Sequence, residues 1–369
     1  MDGVEHEFCV VSGEFDGSGP TGCRLAAPQQ SIGNAIESKA AFKIAPILRP
    51  RSGVSSGGVA HVLYCAVYTL LSEGVDVMDI QGLVDSINAR HMMSFSLHGR
   101  YATGENQGAY ALRDAKGVGY VLKWNNRPAW LHSLYRAERI TNHLATQGVP
   151  VPTYVLADTR TDSITYWIQT ALPGDPPEEL HLSHAKQLAD LVERQANQAL
   201  ATGSNWSEYV RAVVFAGHSG WRDSLAQYND ETRALLARLT ERVTGKERIT
   251  LRTNDICHGD MGTDNVLVQG SNVSGIVDWD AAGEGDRALD LSKLLFYSYH
   301  QFYSYHQDTI RALLRQRIVA ISGQDAYVIY LAYNILAQLN WSIYHHSAEA
   351  VIGGVVFSNQ ILDDIDALS

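Results

Sequence analysis

One stretch limits what this chain can fold into more than any other: Cys257-His258-Gly259-Asp260-Met261-Gly262-Thr263-Asp264-Asn265, followed by Ile276-Val277-Asp278-Trp279-Asp280. The Gly270-Ser271-Asn272 turn between the two halves predicts a β-hairpin. A loop that then returns through a hairpin brings Asp260, Asn265 and Asp278 back to one end. Asp260 sits at the loop start, Asn265 offers a neutral oxygen five residues later, and Asp278 adds a carboxylate at the end of the returning strand. Hard oxygen donors of this kind suit magnesium, which keeps waters and phosphates for its remaining positions. Phosphoryl transfer asks for such a set, together with a carboxylate that orients the attacking hydroxyl and takes its proton. A lone acid or a lone His-Gly-Asp carries little weight. The combined order and spacing carry the reading.

The pattern His-Gly-Asp-x-x-x-x-Asn, followed by an apolar-Asp-Trp-Asp strand end, resembles the aminoglycoside phosphotransferase and choline kinase family, distant relatives of the protein kinases. The resemblance runs from Phe95 to the C-terminus, about three-quarters of the chain. It implies an α+β, bilobal, protein-kinase-like fold, with a small lobe of antiparallel sheet plus one helix and a large, mainly helical lobe. It also implies Asp260 as catalytic base, Asn265 and Asp278 as metal ligands, His258 as a brace of the loop, and ATP with Mg²⁺ as cofactors, GTP remaining open. Gly285-Asp286-Arg287-Ala288-Leu289-Asp290-Leu291 resembles the family's Gly-Asp-Pro-x-x-Asp-Leu, with Arg287 where proline is common. Asp290 is then a structural support of the same loop.

Further positions extend the expected nucleotide site. Lys123 ends the strand Tyr120-Val121-Leu122-Lys123, where a kinase places the lysine that touches the α- and β-phosphates. Glu138 flanks the apolar stripe of the next predicted helix and can pair with Lys123, although solvated surface charges are the common fate of both residue types. Gly104-Glu105-Asn106-Gln107-Gly108 forms a turn whose backbone N–H groups, at Gly104 and Asn106 among others, can meet phosphate oxygens. Gln169, Thr170 and Ala171 lie at the lobe junction, where the family pairs backbone groups with the nucleobase. No Gly-x4-Gly-Lys-Ser/Thr motif occurs, so a P-loop is excluded.

The chain divides into an extension over residues 1–92, a small nucleotide-binding lobe over 93–172 and a large catalytic and acceptor-binding lobe over 173–369. The extension is Gly-, Ser- and Pro-rich at 12–20 and 50–58, and a helical pattern between 59 and 90 is its one regular feature. It reads as a poorly ordered or helical leader, with Met78, Met92 and Met93 as alternative later starts, or as a small docking segment. Trp130, Leu134, Ala137, Thr141 and Leu144 predict the small-lobe helix, stopped by Gly148, Pro150 and Pro152. Residues 296–301 repeat residue for residue as 302–307, a local duplication whose aromatics suit helix packing or a cleft wall.

Net charge is −11 over 369 residues, which argues against a nucleic-acid surface and leaves a nucleotide and a small-molecule acceptor as the expected partners. The longest apolar run, 59–71, falls short of the ~20 residues that cross a bilayer, and residues 1–30 carry no apolar signal segment. Cys9, Cys23, Cys65 and Cys257 make no zinc or CxxC spacing, so a cytoplasmic protein is expected. The acceptor site is expected between the loop and the C-terminal helices, with Asp280, Glu284 and Trp341 as candidate contacts and Asp363, Asp364 and Tyr344 beside them. The wording Asp-Met-Gly-Thr-Asp-Asn-Val-Leu sits closer to the antibiotic kinases, so an aminoglycoside-type or related antibiotic is the first acceptor expected. A kinase of choline, ethanolamine, homoserine or a sugar, and a nucleotide-holding pseudokinase module, are the alternatives.

Overall fold

The computed structural model describes residues 79–101, 108–299 and 307–367. The apolar run 59–71, Gly104, Asn106 and residues 302–306 of the second aromatic repeat lie outside the described residues.

Helix α1, Ile80–His91, opens on Asp79, whose carboxylate accepts the Gly82 N–H at 2.9 Å. It closes on Met92 in the left-handed region (φ 53°), with Arg90 and His91 in the last turn, where cations suit the helix dipole. Leu83, Val84 and Ile87 form its apolar stripe and are fully buried against Phe95, Leu112, Leu122, Tyr166 and Ile168. Polar contacts hold the same joint. Asn88 bonds both the N–H and the carbonyl of Phe95, Arg90 pairs with Asp158 at 2.9 Å, and His91 meets the Tyr166 hydroxyl at 2.8 Å. The folded small lobe therefore starts before Met92, inside the segment that sequence assigned to the extension.

Five strands follow: β1 (Ser96–Arg100), β2 (Ala109–Arg113), β3 (Gly119–Asn125), β4 (Tyr154–Thr159) and β5 (Thr165–Thr170), with helix α2 (Trp130–Thr146) between β3 and β4. They form one antiparallel sheet in the order β1-β2-β3-β5-β4. Alternation along a strand sends neighbours to opposite faces. Tyr166 and Ile168 of β5 face α1, whereas Trp167 joins Leu134, Ala137, Ile140 and Leu144 of α2 on the other face. The same rule applied to β3 buries Leu122 under α1 and sends Lys123 the opposite way, towards the cleft.

The large lobe contains α3 (Leu182–Glu193), α4 (Trp206–Ala216), α5 (Trp221–Tyr228), α6 (Asp230–Val243), the short strand β6 (Asp255–Cys257), the hairpin β7 (Val266–Gln269) and β8 (Asn272–Ile276), strand β9 (Gly283–Gly285), and helices α7 (Ala288–Tyr297), α8 (Gln307–Ser322), α9 (Gln324–His345) and α10 (Ala348–Asp366). Helix α9 is buried on nearly all sides from Ala326 to Leu336 and forms the centre of the lobe. β6 pairs with β9, and the loop 258–265 leaves the end of β6 and runs into β7. The acidic residues near the C-terminus, Asp363 and Asp364 among the expected surroundings of the acceptor, are tied down by protein partners instead. Asp363 and Asp366 pair with Arg238 of α6 at 2.6 and 2.7 Å, and Asp364 accepts the Tyr299 hydroxyl at 2.6 Å. Among the described residues, no helix is long and apolar enough to cross a membrane.

Candidate active site

The loop 258–265 is built around one buried imidazole. His258 is fully buried, and its Nε2 meets the Val277 carbonyl at 2.8 Å while its Nδ1 meets the Asp260 N–H at 3.2 Å. An Nε2-protonated tautomer satisfies both contacts. Burial pushes its pKa below the usual histidine range, which favours that neutral form. Gly259 sits at φ +82°, and a Cβ there would lie 2.4 Å from the Trp206 ring, so both backbone and space demand glycine. Asp290 of α7, buried, accepts the His258 and Gly259 N–H groups at 2.8 and 3.0 Å. Burial raises its carboxyl to about 7 against the lowering effect of those two donors.

The loop and the hairpin bring the sequence-derived oxygen set to one end. Asn265 donates its amide N–H to the Asp260 carbonyl at 2.8 Å, which leaves the amide oxygen as the free end of the side chain. The Asn265 carbonyl receives the Val277 N–H at 2.9 Å and so ties the loop to the strand end before Asp278. Asp278 adopts the left-handed conformation (φ 67°, ψ 55°), unusual for a residue with a side chain. Such outliers concentrate where a side chain is held for function. Lys123 crosses from the small lobe to meet Asp278 at 2.5 Å. Burial opposes its charge, but Asp278, Asp280 and Asp260 outweigh that and raise its pKa.

The expected Lys123–Glu138 pair does not form: among the described residues, the ion-pair partner of Lys123 is Asp278. The turn after β8 brings the Asp278 carboxylate to Lys123, while Glu138 stays on α2, where its charge acts on Tyr154. Helix α2 grips the Asp278 turn by other side chains. Trp130 Nε1 donates to Asp280 at 3.2 Å, and Arg136 Nε donates to the Ala282 carbonyl at 2.6 Å. At the lobe junction, Gln169 is buried inside the sheet, and the N–H groups of Thr170 and Ala171 are taken by the carbonyls of Thr153 and Gly119. Those two amides are therefore not open to a base. Leu172 packs beside Gly275 of β8 there, where an added Cβ would lie 2.9 Å from its side chain.

The candidate acceptor contacts are corrected. Glu284 is buried and accepts from Thr202 N–H, Thr202 Oγ1 and Leu200 N–H at 2.7, 2.6 and 3.3 Å, so it holds the 200–202 segment. Asp280 is turned into the α2 contact, and burial followed by the charge of Asp278 pushes its pKa up. Trp341 stacks on His345 one turn along α9, with ring centroids 3.6 Å apart, and no contact joins it to loop 258–265 among the described residues. Sequence reasoning failed here because an acidic or aromatic residue near a motif in the chain need not point at it. Glu284→Ala is expected to destabilise the fold by roughly 1–3 kcal/mol, since three part-buried donors lose their acceptor. Urea denaturation checks this, and an unchanged midpoint would remove Glu284 from its structural task.

Two features near the loop gave no sequence signal. Lys293 of α7 pairs with Asp260 Oδ1 at 2.5 Å. Asp260 is otherwise open, its side chain 53% exposed. Desolvation would raise the Asp260 carboxyl, but Lys293, helped by Lys123, holds it below its ordinary value. Trp206, Tyr209, Trp221 and Tyr333 meet mainly edge to face, with centroids 5.6–6.3 Å apart. Burial raises the Tyr333 hydroxyl well above the usual tyrosine value, and Tyr209 and Asp260 add to it, so this aromatic cluster borders the loop. Its members come from three helices, and only tertiary packing assembles them.

With the geometry in view, comparison with known proteins identifies the family. Residues 100–323 match the model of the phosphotransferase enzyme family (APH). The chain belongs to that family. Among curated relatives it is 30% identical over 146 residues to the viomycin phosphotransferase of Streptomyces vinaceus, a match covering 36% of this chain and 50% of that protein. It is 21% identical over 212 residues to the hygromycin-B 4-O-kinase of Escherichia coli, covering 53% of this chain and 60% of that protein. The chain thus spans half to three-fifths of the length of these two relatives. The crystal structure of aminoglycoside phosphotransferase APH(4)-Ia matches with a TM-score of 0.60 at 17% identity, over 78% of this chain and 98% of that one. This likeness shows the bilobal, protein-kinase-like α+β fold.

In this family member the unusual Arg287 is structural. The nearly buried guanidinium meets Asp255 and Glu193, both at 2.8 Å, and Arg252 meets the same Asp255 at 2.9 Å. Asp255 begins β6, so the network anchors the strand that launches the loop. Asp286 accepts from the Ala288 N–H and from the Ser322 and Tyr330 hydroxyls, which fixes the start of α7.

Proposed function

We propose that this chain is an ATP-dependent O-phosphotransferase whose acceptor is a hydroxyl of a small polar antibiotic. The observation that carries the reading is the convergence of Asp260, Asn265 and Asp278 at one end of the loop and hairpin, with Lys123 reaching Asp278 from the other lobe. The small lobe, α1 included, holds the nucleotide, with Lys123 at its phosphates and the backbone beyond Ala171 at its base. The large lobe supplies the chemistry and the acceptor surface.

The donor set fits magnesium: a carboxylate at Asp278 and the amide oxygen of Asn265, whose nitrogen is engaged by the Asp260 carbonyl, both hard ligands. No cluster of three or more His, Cys, Asp or Glu side chains suited to a metal occurs among the described residues. Two protein donors leave most of the ion's ligands to phosphates and water, as magnesium takes them. When bound, it supplies charge neutralisation at the phosphate oxygens. Asp260 orients the acceptor hydroxyl and takes its proton as the oxygen bonds to the γ-phosphorus and ADP leaves. Lys293 favours the ionised Asp260 that this step needs. The named substrates of the relatives, hygromycin B and viomycin, support an antibiotic acceptor. Consumption of ATP and a free, buried Cys257 suit a cytoplasmic enzyme.

Magnesium-dependent ATP turnover against hygromycin B, viomycin, other aminoglycosides, amino alcohols and sugars tests the reading. Turnover above the acceptor-free rate is expected with an antibiotic. Turnover confined to choline, homoserine or a sugar reassigns the chain to metabolite phosphorylation. ATP binding with no turnover on any acceptor makes it a binding module.

A further inference from the structure

The stripe of helix α7 that faces the loop carries Asp290, Lys293 and Tyr297, spaced i, i+3 and i+7, so all three lie on one side of the helix. Each touches a successive part of the loop. Asp290 receives the His258 and Gly259 N–H groups, Lys293 takes the Asp260 carboxylate, and the Tyr297 ring lies beside Gly262. Tyr297 also presents its ring to the Lys293 ammonium, 5.8 Å from the centroid. The helix itself is held by the Asp286 cap, the Arg287 ion pairs and the buried Leu291, Leu294 and Leu295. Lys293 is mostly enclosed whereas Asp260 is half exposed, so the lysine is the fixed partner of the pair.

We propose that Lys293 is a positioning residue that holds Asp260 by Oδ1 and so presents Oδ2 to the acceptor hydroxyl. The inference rests on the reading of Asp260 as catalytic base. Among the described residues Oδ2 has no protein partner, whereas Oδ1 is 2.5 Å from the ammonium. Without that anchor, an exposed aspartate redistributes among its staggered rotamers. Misplacing a reacting group by about 1 Å costs up to ~10²-fold in rate. An arginine can span the same gap, whereas a methionine of similar length cannot make the ion pair.

The test is a kinetic cycle on the full-length chain, with hygromycin B and viomycin as acceptor probes and acceptor-free ATP hydrolysis as a second readout. Lys293→Met is expected to lower kcat about ten- to a hundredfold, with the KM for ATP within about twofold because the nucleotide contacts lie elsewhere. Lys293→Arg should recover most of the loss. In an Asp260→Ala background, Lys293→Met should have no further effect, since the lysine acts through the carboxylate. Thermal midpoints are read alongside, and Lys293→Gln replaces the methionine variant should that one unfold. An unchanged kcat in a folded Lys293→Met or Lys293→Gln protein overturns the proposal. Losses that multiply in the double variant also overturn it, because they place the ammonium on the transferred phosphoryl group. Native activity in Asp260→Ala alone is a different failure: it removes the base itself and not only its anchor.

Discussion

Asp260→Ala is expected to lower phosphoryl-transfer turnover by about 10²–10⁴, the usual contribution of a positioned general base. The argument is geometric before it is electrostatic. The Asp260 carboxylate is the open acidic group at the head of the loop, and the loop beneath it is fixed by Gly259, His258 and Asp290. Removing the side chain leaves those supports in place. The Asp260 N–H still meets His258, and its carbonyl still receives the Asn265 amide. Nucleotide affinity should therefore change little, and kcat and kcat/KM should fall together, the pattern of an interaction made in the transition state. Stability should shift by less than about 1 kcal/mol, since a half-exposed ion pair contributes little. Single-turnover kinetics and nucleotide titration on the same preparation separate these quantities. Turnover equal to that of the native chain would show that another group takes the proton.

The second large effect concerns the fold. A chain beginning at Met92 lacks α1 and is expected to lose cooperative folding, whereas one beginning at Met78 retains the helix and its cap. Leu83, Val84 and Ile87 are fully buried, each contributing about 1.5–3 kcal/mol by burial. Together they approach the ~5–15 kcal/mol that keeps a typical domain folded. Their loss also uncovers Leu112, Leu122, Tyr166 and Ile168 of the sheet, an apolar face prone to association. Because β3 carries Lys123 on its opposite side, damage here reaches the Lys123–Asp278 pair, and with it the proposed nucleotide site. Circular dichroism melts and ATP binding of the two chains give the answer. A chain starting at Met92 that melts and binds like the longer one would show the helix to be an accessory.

The motif residues were readable because their chemistry depends on local order. His258, Asp260, Asn265 and Asp278 lie on one loop and one hairpin, and hairpin geometry brings chain neighbours together whatever surrounds them. Glu138 shows the limit of that reasoning. Its place on the next helix suited a pair with Lys123, but which carboxylate meets the lysine depends on where the turn after β8 is placed, and Asp278 of that turn lies there instead. Glu284 shows another limit. A buried acid that holds a backbone segment and an open acid that meets a ligand look the same in a string of letters. Lys293 was missed because its partner lies 33 residues earlier in the chain.

The amino-acid order alone determined the fold class, the hairpin, the helix stopped at Gly148 and the set of oxygen donors, since each follows from side-chain period or turn chemistry over a few residues. Tertiary structure decided where the small lobe begins, which groups face Lys123 and Asp260, and that the loop is bordered by aromatic rings from three helices. Those outcomes depend on contacts between segments far apart in the chain, and only the packing of one surface against another selects among them.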